Sequence, residues 1–342
     1  MIPVTNKIGK IAVIGAGSWG TAIAGMLATK GLQTVLWGYD SGHVAALTRD
    51  RENIKYLPGY HFVDSLQFTS NLRSAVKGCE IVCMVVPSHG FRKVFEDIVP
   101  FLEKQCIIVS AVKGIENETL MTMTQVMTEV LGTELQEKEV ELAVLSGPSF
   151  AKEVALGMPT AVTIGCCHIE NAQKLQHIFG TERFRVYASN DIIGLEISAA
   201  LKNIIAIAAG ISDGLGYGLN SRAALITRGL SEIKRLGVLM GADPQTFFGL
   251  SGLGDLVLTC TGDLSRNRTV GLKLGQGKKL SAILQEMEMV AEGVKTTQSV
   301  YELAQRFKVD MPILEQVYLI LYKNKDCSAA VMDLLTREMR IE

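Results

Sequence analysis

The feature that most constrains the fold of this chain is a glycine-rich turn near its start, Gly15-Ala16-Gly17-Ser18-Trp19-Gly20. The turn follows the strand-like run Lys10–Ile14 and opens a helical run at residues 21–27. In a dinucleotide-binding turn, Gly15 allows the sharp bend, Gly17 lets a pyrophosphate approach the backbone, and Gly20 lets helix and strand pack closely. Because a strand precedes the turn and a helix follows it, the pattern predicts a dinucleotide site rather than a merely glycine-rich turn.

Short β-branched runs alternate with helical stretches through the first half of the chain. Several of the runs are apolar throughout, which is typical of a parallel sheet covered by helices on both faces. We therefore predict an α/β fold with a Rossmann-type, doubly wound and mostly parallel sheet. The strand-like runs lie at residues 10–14, 33–37, 80–87, 106–112 and 142–148, and the helices between them include residues 41–51 and 118–131.

The pattern changes near Ser189, because from Asp191 onward the chain is helical in pattern with few strand-like runs. We predict a dinucleotide-binding domain over residues 1–190 and an all-helical substrate and catalytic domain over residues 191–342. The second domain opens with a long helix at residues 190–211, with Asn190 or Asp191 as its N-cap. Its residues are apolar or small almost all round, as expected of a buried helix.

Composition argues against several kinds of partner and site. The chain carries 34 Lys and Arg against 35 Asp and Glu, so no global positive field favours nucleic acid or an anionic membrane. No run approaches the roughly 18 uninterrupted apolar residues of a membrane span, and the start lacks a signal-peptide pattern. Most of the seven cysteines lie in apolar runs, as expected of free thiols in a reducing cytoplasm. The Cys166-Cys167-His168 cluster lacks a second ligand pair at zinc spacing, so we expect no metal site.

Two lysines are candidates for chemistry. Lys202 lies within the long apolar helix, where desolvation would lower its pKa toward the range useful to a general acid or base. The pattern leaves equally open a lysine that reaches the surface or forms a structural ion pair. Lys113 follows the strand-like run 106–112 at its carboxyl end, where ligands of parallel sheets bind, but it is equally consistent with a solvated loop charge.

Three further segments carry groups that suit a phosphorylated ligand. Gly147-Pro148-Ser149 offers backbone amides and a hydroxyl at a strand end, although a plain proline turn explains it equally well. Ser265-Arg266-Asn267-Arg268 offers guanidinium forks with hydroxyl and amide donors, although such a string is more often a solvated surface turn. Asp255 places one carboxylate in the glycine-rich segment 250–256. The residues around Glu292 indicate no particular function for it.

These segments belong to a series of motifs that occur in order along the chain. They are GAGSWG (15–20), VPSH (86–89), AVKGIE (111–116), LSGPSFAKEV (145–154), SAALKNIIAIAAGISDGLGYGLNSRAALITRG (198–229), GLSGLGDLVLTC (249–260), SRNR (265–268) and VAEGVKT (290–296). Together they closely resemble the bacterial NAD(P)-dependent glycerol-3-phosphate dehydrogenases over nearly the whole chain. Several of the motifs are long and particular to that family, and no matched position departs from its pattern.

The resemblance implies hydride transfer between NAD or NADP and the pair sn-glycerol 3-phosphate and dihydroxyacetone phosphate. It implies Lys202 as the proton acceptor, with Lys113 and Asp255 as further catalytic residues. The glycine turn and the resemblance together place the cofactor at Gly15, Gly17, Ser18, Trp19, Gly20, Tyr39, Lys113, Ala151, Arg266, Val290 and Glu292. The implied substrate positions are Lys113, Gly147, Ser149, Lys202, Asp255, Ser265, Arg266 and Asn267.

The sequence favours neither of the two cofactors. Selectivity for NAD usually needs an acidic residue at the end of the second strand, and here the first acid is Asp40, several residues late. No arginine follows immediately to hold a 2′-phosphate, since Arg49 and Arg51 lie further along. We therefore expect both NADH and NADPH to serve.

Two other functions compete with this interpretation. The first is another two-domain dehydrogenase, of the 6-phosphogluconate or 3-hydroxyacid type, which the SRNR and GPSFAKE strings disfavour. The second is a non-catalytic nucleotide sensor. The set of Lys202, Asp255 and Arg266 disfavours a sensor, because a sensor does not need a buried acid or base.

We expect a small phosphorylated substrate, no nucleic acid, no membrane insertion, a homodimer and a cytoplasmic location. The product would feed glycerophospholipid synthesis.

Overall fold

The computed structural model describes residues 9–287 and 291–338, and the chain divides into two compact units. The first unit comprises Met1–Val112, Met123–Leu145 and Ser149–Ile192, and the second comprises Lys113–Thr122, Ser146–Pro148 and Ile193–Glu342. The second unit therefore contains two short segments from the first half of the chain. Lys113 and Gly147, which follow strands in the sequence, lie in these segments.

The first unit is built on an eight-stranded sheet with the strand order β10-β9-β8-β7-β6-β1-β2-β5. Six neighbouring pairs in it are parallel. The Cys166 thiol at the end of β9 donates a hydrogen bond to Glu141 at the start of β8 (3.0 Å), so these two strands run in opposite directions. The strands are β1 (Lys10–Ile14), β2 (Thr34–Trp37), β3 (Glu52–Asn53), β4 (Leu57–His61), β5 (Gln67–Thr69), β6 (Cys79–Met84), β7 (Ile107–Ser110), β8 (Glu141–Ser146), β9 (Thr160–Cys166) and β10 (Phe184–Ser189).

Helices cover the sheet, and the strands at its centre are buried almost throughout. The predicted doubly wound, mostly parallel sheet is thereby confirmed, while β3 and β4 form a separate antiparallel pair. The helices of this unit are α1 (Ser18–Thr29), α2 (Ser41–Asp50), α3 (Leu72–Val76), α4 (Ser88–Ile98), α5 (Met123–Leu131), α6 (Glu134–Glu137), α7 (Ala151–Ala155) and α8 (Ile169–Phe179).

The predicted helix at residues 118–131 is wrong at its start. The helix α5 begins only at Met123, because the segment before it forms a loop closed by a β-bridge between Ile115 and Thr122. Leu120 in this loop has a φ of 61°, a left-handed conformation that a right-handed helix cannot contain. The loop belongs to the second unit and carries Lys113 at its start.

The second unit is helical around α9, as predicted for the C-terminal region. Its helices are α9 (Ile192–Gly214), α10 (Leu219–Leu239), α11 (Asp255–Thr261), α12 (Arg266–Gly275), α13 (Leu280–Gln285), α14 (Glu292–Phe307), α15 (Pro312–Lys323) and α16 (Cys327–Leu335). Among the described residues, α9 alone has the length and hydropathy of a membrane span, yet 89% of its most apolar stretch is buried inside the protein. It has the environment of a core helix.

A buried carboxylate fixes the start of α15. Glu232 of α10 accepts hydrogen bonds from the backbone N–H groups of Ile313 (2.8 Å) and Leu314 (3.2 Å). Burial raises the pKa of Glu232 to about 7, aided by the charge of Asp310 and opposed by the two N–H groups and by Arg235. The folded protein therefore holds this proton more tightly than the unfolded chain does.

We expect the stabilisation that arises from the raised pKa of Glu232 to be present below about pH 4.5 and lost as the pH rises through about 7. In Glu232→Gln, a neutral amide replaces the carboxyl group and this dependence disappears. The difference in unfolding free energy between wild type and variant should therefore change by roughly 3 kcal/mol between pH 5 and pH 8. Urea unfolding at the two pH values measures it. Glu315→Gln, at an exposed position in the first turn of α15, is the control, and an equal change there would contradict the prediction.

Candidate active site

The glycine turn of the first unit has the geometry that a pyrophosphate requires. Gly15 has a φ of +126°, and a Cβ there would lie 2.6 Å from the carbonyl oxygen of Val85, so only glycine fits. A Cβ at Gly17 would meet nothing within 4 Å, which leaves open space at the N-terminus of α1. Gly17 is the N-cap of this helix and has no side chain that could occupy the space in front of it. A helix N-terminus with room in front of it suits an anion, because its backbone N–H groups and the helix dipole favour negative charge.

Ser18 and Trp19 follow Gly17 as the first residues of α1. The Ser18 hydroxyl donates to the carbonyl oxygen of Tyr56 (2.6 Å). The indole Nε1 of Trp19 is buried and has no hydrogen-bond partner among the described residues, so it is a donor available to a ligand. Asn53, which the sequence analysis did not single out, supports the turn: its buried amide donates to the carbonyl oxygen of Ala16 (3.0 Å) and to Thr21 (2.7 Å).

The charged residues considered for cofactor preference already have partners. Asp40 is the N-cap of α2, and its Oδ1 accepts from the N–H groups of Gly42 (2.8 Å) and His43 (3.3 Å). Arg49 pairs with Asp50, and Arg51 donates to the carbonyl oxygens of Val63 and Leu66.

The other residues predicted to bind in the first unit lie at the ends of its elements. Tyr39 follows β2 and is 87% exposed. Ala151 is the first residue of α7, a helix that packs against α1, and Ser149 lies just before it. Their contacts with cofactor or substrate stay predictions.

In the second unit, the structure brings together Lys113, Lys202 and Asp255. The Nζ of Lys202 donates to Asp255 Oδ1 (2.5 Å) and to Thr259 Oγ1 (2.9 Å). The Nζ of Lys113 donates to Asp255 Oδ2 (2.9 Å) and to the carbonyl oxygen of Gly147 (3.3 Å). Among the described residues, each ammonium group therefore uses two of its three donors and has one left for a ligand.

Burial and mutual charge set the protonation of this cluster. Lys202 is 4% exposed and Asp255 is 1% exposed. Burial lowers the pKa of Lys202, and the neighbouring charge of Lys113 lowers it further, while the charge of Asp255 acts in the opposite direction. Burial alone would raise the pKa of Asp255, but the charges of Lys113 and Lys202 outweigh it and hold that pKa below its usual value. With all three groups ionised, the cluster carries one net positive charge.

The SRNR segment forms the start of α12, and its four side chains have different environments. Ser265 is the N-cap and accepts from the N–H of Arg268 (3.2 Å). Asn267 accepts from the N–H of Gly293 (3.0 Å), so its Nδ2 is the group left to donate to a ligand. Arg266 is exposed and makes no hydrogen bond or ion pair with the described residues. Of the two arginines, Arg266 is thus the one available to an anion.

Backbone contact fixes the spacing between α9 and α12, the helices that carry Lys202 and the SRNR segment. A Cβ at Gly210 of α9 would lie 2.1 Å from the carbonyl oxygen of Arg268, and a Cβ at Gly271 of α12 would lie 2.0 Å from that of Ile207. Gly214 and Gly275, one turn further along each helix, approach the opposite backbone in the same way. This glycine seam (Gly210, Gly214, Gly271 and Gly275) places the two helices in direct backbone contact.

Sequence reasoning missed two polar residues near Lys202. Thr259 lies one helical turn after Asp255, so the spacing of the two along α11 is a signal that could have identified it. Asn203 donates to the carbonyl oxygen of Lys113 (3.4 Å). It lies within an apolar run of the sequence, and no local pattern indicated a role for it. Glu292 is the first residue of α14, and Val290 lies outside the described residues. Over the residues that the structure describes, no cluster of His, Cys, Asp and Glu could hold a metal ion.

Comparison with known proteins identifies the family. Residues 10–172 match the family described as NAD-dependent glycerol-3-phosphate dehydrogenase N-terminus, and residues 191–332 match the corresponding C-terminus. The chain is 59% identical to a glycerol-3-phosphate dehydrogenase (NAD(P)+) of Desulfotalea psychrophila, over 99% of this chain and 100% of that protein.

Solved structures agree with the sequence comparison. The crystal structure of glycerol-3-phosphate dehydrogenase (gpsA) from Coxiella burnetii has a TM-score of 0.92 at 42% identity, covering 96% of this chain and 99% of that one. Glycerol-3-phosphate dehydrogenase GPD1 from yeast has a TM-score of 0.82 at 27% identity, covering 97% and 100%. This chain therefore belongs to the NAD(P)-dependent glycerol-3-phosphate dehydrogenase family.

Proposed function

We propose that this chain is an oxidoreductase that interconverts sn-glycerol 3-phosphate and dihydroxyacetone phosphate with NAD(H) or NADP(H). The observation that carries the proposal is the buried cluster in which Asp255 pairs with both Lys113 and Lys202. A lysine with a lowered pKa, held beside a carboxylate and with one donor left over, suits proton transfer to and from a substrate oxygen. Family membership supports the same assignment.

The dinucleotide, when bound, supplies hydride to the carbonyl carbon or accepts it from the carbinol carbon. In reduction, the Lys202 ammonium stabilises the developing alkoxide and gives it a proton. In oxidation, the neutral Lys202 amine takes the proton from the hydroxyl group. Asp255 orients the Nζ of Lys202 through the 2.5 Å hydrogen bond, and Lys113 directs its remaining donor to the same substrate oxygen.

We assign the substrate phosphate to the start of α12. Arg266 supplies a guanidinium group, and the Nδ2 of Asn267 and the Ser265 hydroxyl supply further donors. The N-terminus of α12 adds a favourable partial positive charge. Together with the net charge of the lysine cluster, Arg266 balances a phosphate dianion.

The enzyme has a simple place in metabolism under this proposal. In the reducing direction it makes the glycerol 3-phosphate from which glycerophospholipids are built. The seven cysteines are all free thiols, which supports a reducing cytoplasmic location. Exposed apolar side chains such as Leu219, Leu239 and Phe248 support a homodimer of the 37.1 kDa chain, which sedimentation would measure.

The assay that tests the proposal follows NADH and NADPH absorbance with dihydroxyacetone phosphate as the substrate. We expect oxidation of both cofactors, and the two kcat/KM values give the preference. Turnover of 6-phosphogluconate or a 3-hydroxyacid instead would favour another two-domain dehydrogenase. Nucleotide binding without oxidation would favour a sensor.

Replacing Lys202 with methionine should lower kcat for reduction of dihydroxyacetone phosphate by about a hundredfold or more, because general acid catalysis is lost. Steady-state kinetics on the folded variant measure this. Lys174→Met, at an exposed position of α8, is the matched control and should keep wild-type turnover. Wild-type kcat in Lys202→Met would show that this residue is not the proton donor.

The pH profile reports on the same group. Reduction needs the ammonium form of Lys202, so its rate should fall as the pH rises through a pKa well below the ordinary lysine value of 10.5. Oxidation needs the neutral amine and should rise over the same range. In Asp255→Asn, burial and the charge of Lys113 remain without the opposing carboxylate, so the fall in the reduction rate should move to lower pH. A shift to higher pH would contradict the assignment.

Replacing Arg266 with alanine should raise KM for dihydroxyacetone phosphate by about ten- to a hundredfold, since one or two charge-assisted hydrogen bonds to the phosphate are lost. Arg306→Ala, at an exposed position in the last turn of α14, is the control. An unchanged KM in Arg266→Ala would remove its role in phosphate binding.

A further inference from the structure

Asp213, in the last turn of α9, pairs with two arginines from different helices. Its Oδ1 accepts from Nε (3.0 Å) and Nη2 (2.7 Å) of Arg222 in the first turn of α10. Its Oδ2 accepts from Nε (2.9 Å) and Nη2 (2.8 Å) of Arg268 in the first turn of α12. The Asp213 side chain is 7% exposed, so both pairs are shielded from solvent.

The position of Asp213 is unfavourable by itself. A carboxylate at the C-terminus of a helix faces the negative end of the helix dipole, and burial adds a further cost. The positive charges of Arg222 and Arg268 offset both the unfavourable helix dipole and the cost of burial. Arg268 has a second acidic partner, Asp263 (2.9 Å), but the side chain of Asp263 is 98% exposed and its charge is screened.

Arg268 links this buried pair to the segment that we assign to the phosphate. It lies two residues after Arg266, and residues two apart on a helix point to different sides. Arg268 is turned inward to Asp213, whereas Arg266 makes no hydrogen bond or ion pair with the residues that the structure describes. The backbone of Arg268 also touches Gly210, so α9 holds the first turn of α12 by its backbone and by a side chain.

We propose that Asp213 is a positioning residue for the substrate phosphate: by holding Arg268 and Arg222, it sets the start of α12 so that Arg266 and Asn267 meet the phosphate oxygens. The inference rests on the proposed function of this segment. It adds a residue that touches neither substrate nor cofactor, and that the sequence pattern did not mark.

The test compares dihydroxyacetone phosphate with dihydroxyacetone, which has the same carbonyl group without the phosphate. In Asp213→Asn, we expect the ratio of kcat/KM for the two substrates to fall about tenfold, through a higher KM for the phosphorylated one. Asp263→Asn removes the exposed partner of the same arginine and should change the ratio less than twofold. Thermal unfolding confirms that each variant is folded.

Arg222→Lys is the second variant, for the case in which Asp213→Asn does not fold. It keeps the charge but loses the paired Nε and Nη2 donors, and Arg222 belongs to a helix for which we assign no substrate contact. We expect about a threefold fall in the same ratio.

An unchanged ratio in both variants would overturn the proposal. An equal loss of activity toward both substrates would also overturn it, because that is the result of a general distortion. Arg266→Ala separates this inference from the proposed function. If Arg266→Ala raises KM while the Asp213 and Arg222 variants do not, only the positioning role fails; if Arg266→Ala has no effect, the phosphate assignment itself fails.

Discussion

The buried ion pairs of Asp255 with Lys113 and Lys202 are the interaction on which the arrangement of charged groups in the second unit depends. An isolated charge at this depth would cost several kcal/mol, and two lysine ammonium groups make it tolerable. Each group comes from a different part of the chain: α11, α9 and the loop that follows β7. The carboxylate therefore links three segments as well as orienting one amine. With all three groups ionised, one positive charge is left over, which suits the phosphorylated anion that we propose as the substrate.

Hydrophobic periodicity and glycine spacing predicted those parts of the fold that depend on residues close together in the sequence. The glycine turn, the alternating strands and helices, and the burial of the long helix α9 all follow from periodicity and from the needs of a tight turn. The pattern left open whether Lys202 on that helix is buried or reaches the surface. The start of α5 did not follow, because the left-handed Leu120 is imposed by a bridge between Ile115 and Thr122. Partners distant in sequence were also out of reach: Asn53 supports the glycine turn from thirty-seven residues after Ala16. The SRNR string could not show which arginine is paired and which is available.

The hydrogen bonds that a side chain already makes within the protein limit which of its atoms can bind a ligand. Asn267 has an amide that either accepts or donates, and the N–H of Gly293 occupies its oxygen. Asp40 is the first acid after the second strand but comes several residues late for a ribose contact, and its Oδ1 is already engaged as the N-cap of α2. Where a residue type suggests several functions, the partner that it already has decides which group is left for a ligand.

The glycine seam has a consequence for how freely the rest of the second unit can change. Side-chain contacts adjust when a neighbour grows or shrinks by a methylene group, and the helices shift to follow. Between α9 and α12 the touching atoms are main-chain atoms, which are the same whatever side chains surround them. The apolar core of this unit can therefore exchange leucine, isoleucine and valine over generations, or be repacked for heat resistance, while the distance between Lys202 and the start of α12 stays constant. If the substrate binds between Lys202 and Arg266 as we propose, the four glycines determine how long a molecule can bind there.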